Sequence, residues 1–348
     1  MTPEATPPRP HPRRLRRALA PAVAVAAIAA GSACASESDG AGSRVETDAP
    51  LSGDFEATAA YLQQATAQST AEGYRLEMRF SLSGEVDEAD PPLMSGEVEG
   101  DRYHYVMDMG SMLEQMADMM GESVPPELSS IDMSIEMAGD AEAIYMRAPM
   151  FAQLGNVAGM GAAAGLADMG DGWGHVDLAG VGDEVSAEVA SALGAQGVDP
   201  RAVVEAVEGS DDVEDIGTAE IRGAPAHGLA AEVTMGDLLE ASGQDPETLA
   251  TTSGVGTDVE EAIAALYETT TPMEVWIDDD GYVRRMAFAY STDDIAAAMG
   301  LGESEMQVLG AFEYAYAIDM FDFGTSVEFE PPADAVDITD AFLALLEA

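Results

Sequence analysis

The chain has 348 residues, of which 47% are hydrophobic, and it carries 65 acidic residues, a single cysteine and a formal net charge of −51. Its 14 basic residues are all arginine. So negative a protein excludes nucleic acid as a partner, because phosphate binding requires a basic surface. The acids are spread along the whole chain, which is typical of a protein that stays soluble in a saline habitat.

The first 33 residues have the pattern of a secretory signal. Four arginines between residues 13 and 17 precede an Ala/Val-rich stretch at residues 18–30, which is short for a membrane span. Small residues then lead to Cys34 at the expected cleavage point. This arrangement resembles the bacterial lipobox, although Gly31 stands where that motif prefers an aliphatic residue. We predict that Cys34 is lipidated and anchors an exported protein on the extracytoplasmic face of the cell membrane. A secreted protein with a stray cysteine is the alternative.

The rest of the chain divides into a tether and one domain. Removal of residues 1–33 takes away five arginines and one glutamate, which leaves a net charge of about −55. Residues 34–54 form the lipidated N-terminus and a flexible linker, because their Gly, Ser, Asp and Glu residues cannot bury a core. We expect residues 55–348 to form a single domain, since they contain no second linker and no internal repeat.

The predicted elements begin with a helix at residues 55–70, where apolar residues recur at helical spacing. From Tyr74 the apolar period changes to two, which predicts a strand at residues 74–82. Asp279-Asp280-Gly281 predicts a hairpin turn. Further strands are predicted at residues 94–99, 102–109, 131–138, 143–147, 173–178, 216–222, 226–234, 273–277, 282–290, 313–321 and 326–330. Further helices are predicted at residues 111–120, 185–193, 200–208 and 260–267. Many consecutive strands with few helices indicate an α+β fold, in which a curved antiparallel sheet is covered by helices.

Four stretches carry family-like motifs. They are residues 217–229 (GTAEIRGAPAHGL), residues 272–286 (PMEVWIDDDGYVRRM), residues 327–339 (VEFEPPADAVDIT), and residues 144–149 (IYMRAP) followed by Trp173 and Asp177. In sequence and order they resemble the LppX/LprG-type actinobacterial lipoproteins of the LolA-like superfamily. The resemblance implies a half-open antiparallel barrel around helices, with an apolar hollow that receives acyl chains. It also implies lipid or glycolipid binding or transport at the cell envelope, and no catalytic residues.

Methionine is unusually frequent in one part of the chain. Of 21 methionines, 13 lie between Met94 and Met169. Methionine is unbranched and flexible, so it suits a cavity wall that adapts to variable chains, while ordinary core packing is the alternative explanation. Met107, Met133 and Met146 lie on predicted strands and are our candidates for the cavity wall.

Two other classes of function were weighed. An enzyme is not predicted, since His104, His175 and His227 have no zinc-site spacing, and neither a lysine base nor a nucleophile elbow is present. No cofactor is expected. A soft-ligand cluster suits Cu(I), although packing explains the same spacing; it comprises His104, Met107, Met109, Met112, Met116, Met119 and Met120.

The leading prediction is therefore a membrane-anchored lipoprotein that binds lipid or glycolipid acyl chains in an apolar cavity. The alternative is a protein-interaction or sensor lipoprotein on the same scaffold, with a filled core and an envelope protein as its partner. A copper-binding envelope protein is a more distant alternative.

Overall fold

The structure is a computed structural model. It describes residues 55–84, 86–119, 123–124, 129–154, 166, 168–178, 200–210, 213–241, 265, 267–291 and 313–346. Cys34, the predicted helix at residues 185–193 and most of the predicted helix at residues 260–267 lie outside these ranges. Within them, no helix combines the length and the apolar character needed to cross a membrane.

Helices and strands follow the predicted order closely. The helices are α1 (Phe55–Ala71), α2 (Met109–Met119), α3 (Pro149–Leu154), α4 (Pro200–Gly209), α5 (Met235–Ala241) and α6 (Thr339–Leu346). The strands are β1 (Tyr74–Ser81), β2 (Met94–Glu99), β3 (Arg102–Asp108), β4 (Ser134–Gly139), β5 (Ala143–Arg147), β6 (Gly174–Asp177), β7 (Val213–Ile221), β8 (Ala224–Thr234), β9 (Thr270–Asp278), β10 (Val283–Ser291), β11 (Glu313–Phe321) and β12 (Val336–Asp337).

The twelve strands of the described residues form one sheet, in the order β12-β6-β5-β4-β3-β2-β1-β11-β10-β9-β8-β7. This order consists of two antiparallel meanders, β1–β6 and β7–β11, in which consecutive strands pair. The meanders meet where β1 pairs with β11, with Met78 opposite Ile318. The short β12 pairs in parallel with β6. The described sheet is open, with β7 and β12 at its edges, and the predicted α+β fold with a large antiparallel sheet is confirmed.

One side of the sheet, which we call the inner face, holds the hydrophobic core. It is defined by alternate residues of the strands, such as Leu76 and Met78 on β1, both at 3% exposure. Helix α4 packs against α1, α5, β8 and β10, so these helices cover the inner face of the second meander. Helices α2 and α3 contact β4, and α6 contacts β6. Both halves of the sheet therefore contact helices.

Helix α1 is fixed to the hairpin between β9 and β10. The predicted turn is confirmed there, since Gly281 has a φ of +84° and donates its N–H to the carbonyl of Asp278 at 3.0 Å. Beyond the turn, the strand register shifts at Val283. The N–H of Val283 is donated to the Ser69 hydroxyl of α1 at 2.7 Å, and the Gln68 amide donates to the Asp280 carbonyl at 2.8 Å. The helix thus accepts a backbone hydrogen bond from the irregular end of the ladder.

A long connection between β11 and β12, residues 322–335, crosses the opposite side of the sheet, which we call the outer face. It runs over the first meander, where the ring of Phe329 contacts His104, Tyr145 and Trp173 at centroid distances of 5.5 to 5.6 Å. The predicted strand at residues 326–330 is therefore wrong. Its alternating apolar residues pack by side chains on the outer face, without joining a ladder.

The outer face of the junction between the meanders carries a group of charges, the arginine–aspartate cluster. Asp319 on β11 is completely buried, and it is contacted by Arg79 at 3.0 Å, Arg222 at 3.1 Å and Arg285 at 2.6 Å. Glu77 lies directly opposite Asp319 across the β1–β11 pair. Two like charges at such a position repel each other. Arg79 and Arg222 each contact both carboxylates and so neutralise this repulsion.

We expect Asp319→Asn to lower the free energy of unfolding by about 3–5 kcal/mol, because it leaves three guanidinium groups around a neutral amide in a buried site. Urea denaturation measures this loss. Asp322→Asn is the matched control, since Asp322 pairs with Arg75 and both side chains are exposed. Its stability should equal that of the wild type. Equal stability of the two variants would show that the cluster does not support the junction.

Candidate functional site

The inner face of the sheet is uncharged over eight neighbouring strands. In the regularly paired parts of β1–β6, β10 and β11, no residue whose side chain points to the inner face is Asp, Glu, Arg or His; Arg284 lies at the register shift of β10, outside this regular pairing. In a chain with 65 acidic residues this separation of charge is strong. The acids of these strands lie on the outer face or at the strand ends, which leaves the inner face to aliphatic, aromatic and methionine side chains.

Methionines form a continuous row across this face. Met78, Met94 and Met107 are direct cross-strand neighbours on β1, β2 and β3. The row continues to Ile135 on β4 and, in the other direction, to Ile318 on β11. Met94 is completely buried, whereas Met107 is only partly buried. The row therefore runs from the covered core toward a less covered region.

The three methionines predicted to line a cavity lie at different depths. Met107 belongs to the row just described. Met146, at 4% exposure, lies opposite Met137 on the inner face between β4 and β5. Met133 precedes β4, where its carbonyl accepts a hydrogen bond from the N–H of Met109 at the start of α2. Met107 and Met146 thus share the inner face, and Met133 lies beside the helix that follows β3.

Two glycines allow large side chains to lie flat on the inner face. A Cβ at Gly96 would be 2.3 Å from the ring of Tyr105, and a Cβ at Gly174 would be 2.4 Å from the sulfur of Met169. Neither glycine has a positive φ, so the close approach of the neighbouring side chain is the reason for its small size.

The inner face is partly exposed near the carboxyl end of β1. Here Met107 and Ile135 are partly buried, as are Phe288 and Tyr316 in the next row outward. Helix α2 lies at this end, since the Gln115 amide donates to the carbonyl of Phe80 at 3.2 Å. We call this region the exposed end of the inner face.

Three tyrosines are grouped at the exposed end. Tyr316 packs against Phe80 and Phe288, each at a centroid distance of 4.9 Å, and Tyr290 packs against Tyr314 at 5.1 Å. Burial raises the pKa of Tyr314 and Tyr316 to about 12, and burial together with Tyr316 raises the pKa of Tyr290 well above its usual value. The hydroxyls therefore stay neutral at physiological pH. This group was missed from the sequence, although Tyr290, Tyr314 and Tyr316 sit at alternate positions of two predicted strands.

The soft-ligand cluster is divided by the sheet. His104 lies on the outer face, where its Nε2 is 2.9 Å from Glu136, whereas Met107 lies on the inner face. The side chains of Met116, Met119 and Met120 lie outside the described residues. The described residues contain no group of three or more His, Cys, Asp and Glu side chains suited to a metal ion. His104 therefore cannot join Met107 in one copper site.

The raised pKa values predict a loss of stability in alkali. Below pH 10 these tyrosines are neutral in both states; above it the unfolded chain ionises first, so stability falls as the pH rises from 10 through about 12. We expect a triple variant, Tyr290→Phe with Tyr314→Phe and Tyr316→Phe, to lose less stability in that interval than the wild type. Urea denaturation at several pH values measures the difference. Tyr145→Phe on the outer face is the control, and an identical alkaline loss in all three proteins would contradict the expectation.

Comparisons with known proteins bear on the fold. No protein-family model and no curated protein matches the chain. Among solved structures, the Mycobacterium tuberculosis lipoprotein LppX aligns with a TM-score of 0.36 and 10% identity, over 78% of this chain and 97% of that chain. LprF from Mycobacterium bovis aligns with a TM-score of 0.38 and 11% identity, over 79% and 96%. The chain is thus similar in structure to mycobacterial lipoproteins, as its motifs predicted, and at this identity the likeness concerns the fold alone.

Proposed function

We propose that the protein binds the acyl chains of a lipid against the inner face of its sheet, and that Cys34 anchors it outside the cytoplasm. The observation that carries the lipid-binding part is the uncharged inner face, which spans eight strands and becomes partly exposed at one end. An acyl chain is apolar, so it binds best to a surface of apolar side chains and makes no favourable contact with charged groups. The proposal includes no catalytic step.

The methionine row suits this role energetically. Each CH₂ group moved from water to an apolar site contributes up to about 0.8 kcal/mol, so half of a C16 chain contributes about 6 kcal/mol. That corresponds to a Kd on the order of 10⁻⁵ M before the cost of immobilising the chain. Flexible thioether side chains at Met78, Met94 and Met107 can adjust to chains of different shape.

The charges of the protein indicate a ligand with an uncharged polar end. The chain has no lysine, and its net charge of −51 repels anions. Every arginine whose side chain is described already contacts a carboxylate; they are Arg75, Arg79, Arg102, Arg147, Arg222, Arg284 and Arg285. Among the arginine side chains that the structure describes, an anionic headgroup therefore finds none that lacks an acidic partner.

Met107→Trp tests the binding surface. Because Met107 is only partly buried, the larger ring should fit at the exposed end without unfolding the domain, and it should reduce the uptake of fluorescent dioleoylglycerol from phosphatidylcholine vesicles by at least about tenfold. Val106→Trp is the matched control, since Val106 is the next residue on β3 and is 39% exposed on the outer face. Uptake by the wild type and the control, but not by Met107→Trp, supports the proposal. No uptake by the wild type would favour the protein-interaction alternative.

Cys34→Ala tests the anchor. We expect this variant to be released into the medium, whereas the wild type stays with the membrane fraction, because the acyl chains attached to the thiol supply the membrane affinity. Mass spectrometry of the mature N-terminus identifies the modification directly. A wild-type protein that is as soluble as Cys34→Ala and has an unmodified N-terminus would contradict the anchor and leave the lipid-binding proposal intact.

A further inference from the structure

The methionine row changes from buried to partly exposed between two adjacent strands. Met94 on β2 is completely buried, and Met78 on β1 is 3% exposed. Met107 lies directly opposite Met94 on β3 and is only partly buried. Small solutes therefore reach the side chain of Met107 from the solvent, whereas access to Met78 and Met94 requires the core to open.

Three more partly buried methionines lie around the start of α2. Met109 is the first residue of this helix, and its N–H donates to the carbonyl of Met133 at 3.3 Å. Gly110 is close to the same side chain, since a Cβ there would be 3.9 Å from the Cβ of Met133. Met112 follows Met109 at helical spacing and so lies on the same side of α2. We call Met107, Met109, Met112 and Met133 the methionine rim.

Methionine supplies nearly all of the sulfur of this chain, which has 21 methionines and one cysteine. A peroxide oxidises a thioether by two electrons. With hydrogen peroxide, the sulfur lone pair forms an S–O bond to one oxygen, the O–O bond breaks, and the other oxygen leaves with both hydrogens as water. The product is a polar sulfoxide, which methionine sulfoxide reductases convert back to the thioether.

A sulfoxide at the rim opposes the binding of an acyl chain. At Met107 its oxygen would lie in the apolar row, between Met94 on β2 and Ile135 on β4. When an acyl chain covers this oxygen, the oxygen loses its hydrogen bonds to water and gains none, which is unfavourable. In the free protein the partly exposed sulfoxide stays hydrated. Oxidation therefore weakens the binding of the ligand more than it destabilises the fold.

We propose that the methionine rim is a site of reversible oxidation by peroxides, and that sulfoxides there lower the affinity of the inner face for acyl chains. The oxidation itself follows from the exposure of the rim, whereas its effect on the ligand rests on the proposed function. Met78 and Met94 keep their thioethers because they are buried, so the core stays packed while the exposed end becomes polar.

The test treats the full protein with hydrogen peroxide and follows the sulfoxide content of each methionine by peptide mass spectrometry. We expect the rim to be oxidised at least about tenfold faster than Met78 and Met94, because the peroxide must reach the sulfur. Uptake of fluorescent dioleoylglycerol from phosphatidylcholine vesicles should then fall about tenfold. Treatment with methionine sulfoxide reductases should restore it.

A rim variant identifies the sulfur atoms that are responsible. It carries Met107→Leu, Met109→Leu, Met112→Leu and Met133→Leu, which nearly conserve side-chain volume. Met150→Leu is the matched control, since Met150 on α3 is also partly buried but lies outside the rim. Each protein is compared with its own untreated form. Peroxide should lower uptake by the control as much as uptake by the wild type, and it should not lower uptake by the rim variant.

Three results would overturn the proposal. Equal rates of oxidation at the rim and at Met78 and Met94 would show that the rim is not a selective site. Undiminished uptake by a wild type with an oxidised rim would show that the sulfoxides do not affect the ligand. An equal loss of uptake in the rim variant and the wild type would place the sensitive group elsewhere.

The proposed function fails in a different way. An untreated wild type that takes up no lipid would overturn that function and the effect of oxidation on the ligand, while the oxidation rates still decide whether the rim is the oxidised site. If the rim variant does not fold, Met107→Leu alone is compared in the same way, and it should keep part of its uptake after treatment with peroxide.

Discussion

The pairing of β1 with β11 is the constraint on which the rest of the structure depends. Every other antiparallel pair joins strands that are consecutive in the chain, and such pairs form within one meander. Among the described strands, only the β1–β11 pair joins the two meanders into one sheet. The inner face is continuous across it, because Met78 meets Ile318 and Phe80 meets Tyr316 in the same register. A slip by one residue would turn these side chains to the outer face and bring Asp319 inward.

The arginine–aspartate cluster is well placed to prevent such a slip. Asp319 and Glu77 are held face to face by guanidinium groups from β1 and from the turn between β7 and β8. Buried ion pairs often add little net stability compared with apolar packing. They do restrict the strands to one register, since a register that leaves a buried charge without its partner is costly in free energy. The chain has only 14 basic residues, and three of them, all arginines, surround Asp319 at the junction between the meanders.

The sequence predicted most of what local patterns determine. Alternating residues placed the strands at 94–99, 143–147 and 313–321 with their observed bounds, and the hairpin at Gly281 followed from its turn residues. The β1–β11 pair could not be predicted, because its strands lie about 240 residues apart and no turn connects them. The prediction of a strand at 326–330 failed because alternation reports side-chain packing on one face, and Phe329 packs without a backbone partner.

The same limit applies to the candidate site. The alternation of side chains along β3 places Met107 and His104 on opposite faces of the strand. In the structure Met107 lies on the inner face, and His104 lies on the outer face, where it contacts Glu136. Strand alternation alone thus separates the two residues that a copper site would need together. The grouping of Tyr290, Tyr314 and Tyr316 could be recognised only once the neighbouring strands were known. Tyr290 and Tyr314 are joined only by the pairing of β10 with β11, across 21 residues that the structure does not describe.

The position of β11 in the chain also has a consequence for biosynthesis. This strand begins at residue 313, so β1–β6 and β7–β10 are synthesised before the strand that unites them exists. Until then, β1 and β10 each present a row of unpaired backbone groups, which is a template for association with other chains. The high density of carboxylates keeps such nascent chains apart by mutual repulsion. A chain truncated before residue 313 therefore lacks the strand that joins the two parts of the sheet, and the edges of β1 and β10 stay unpaired.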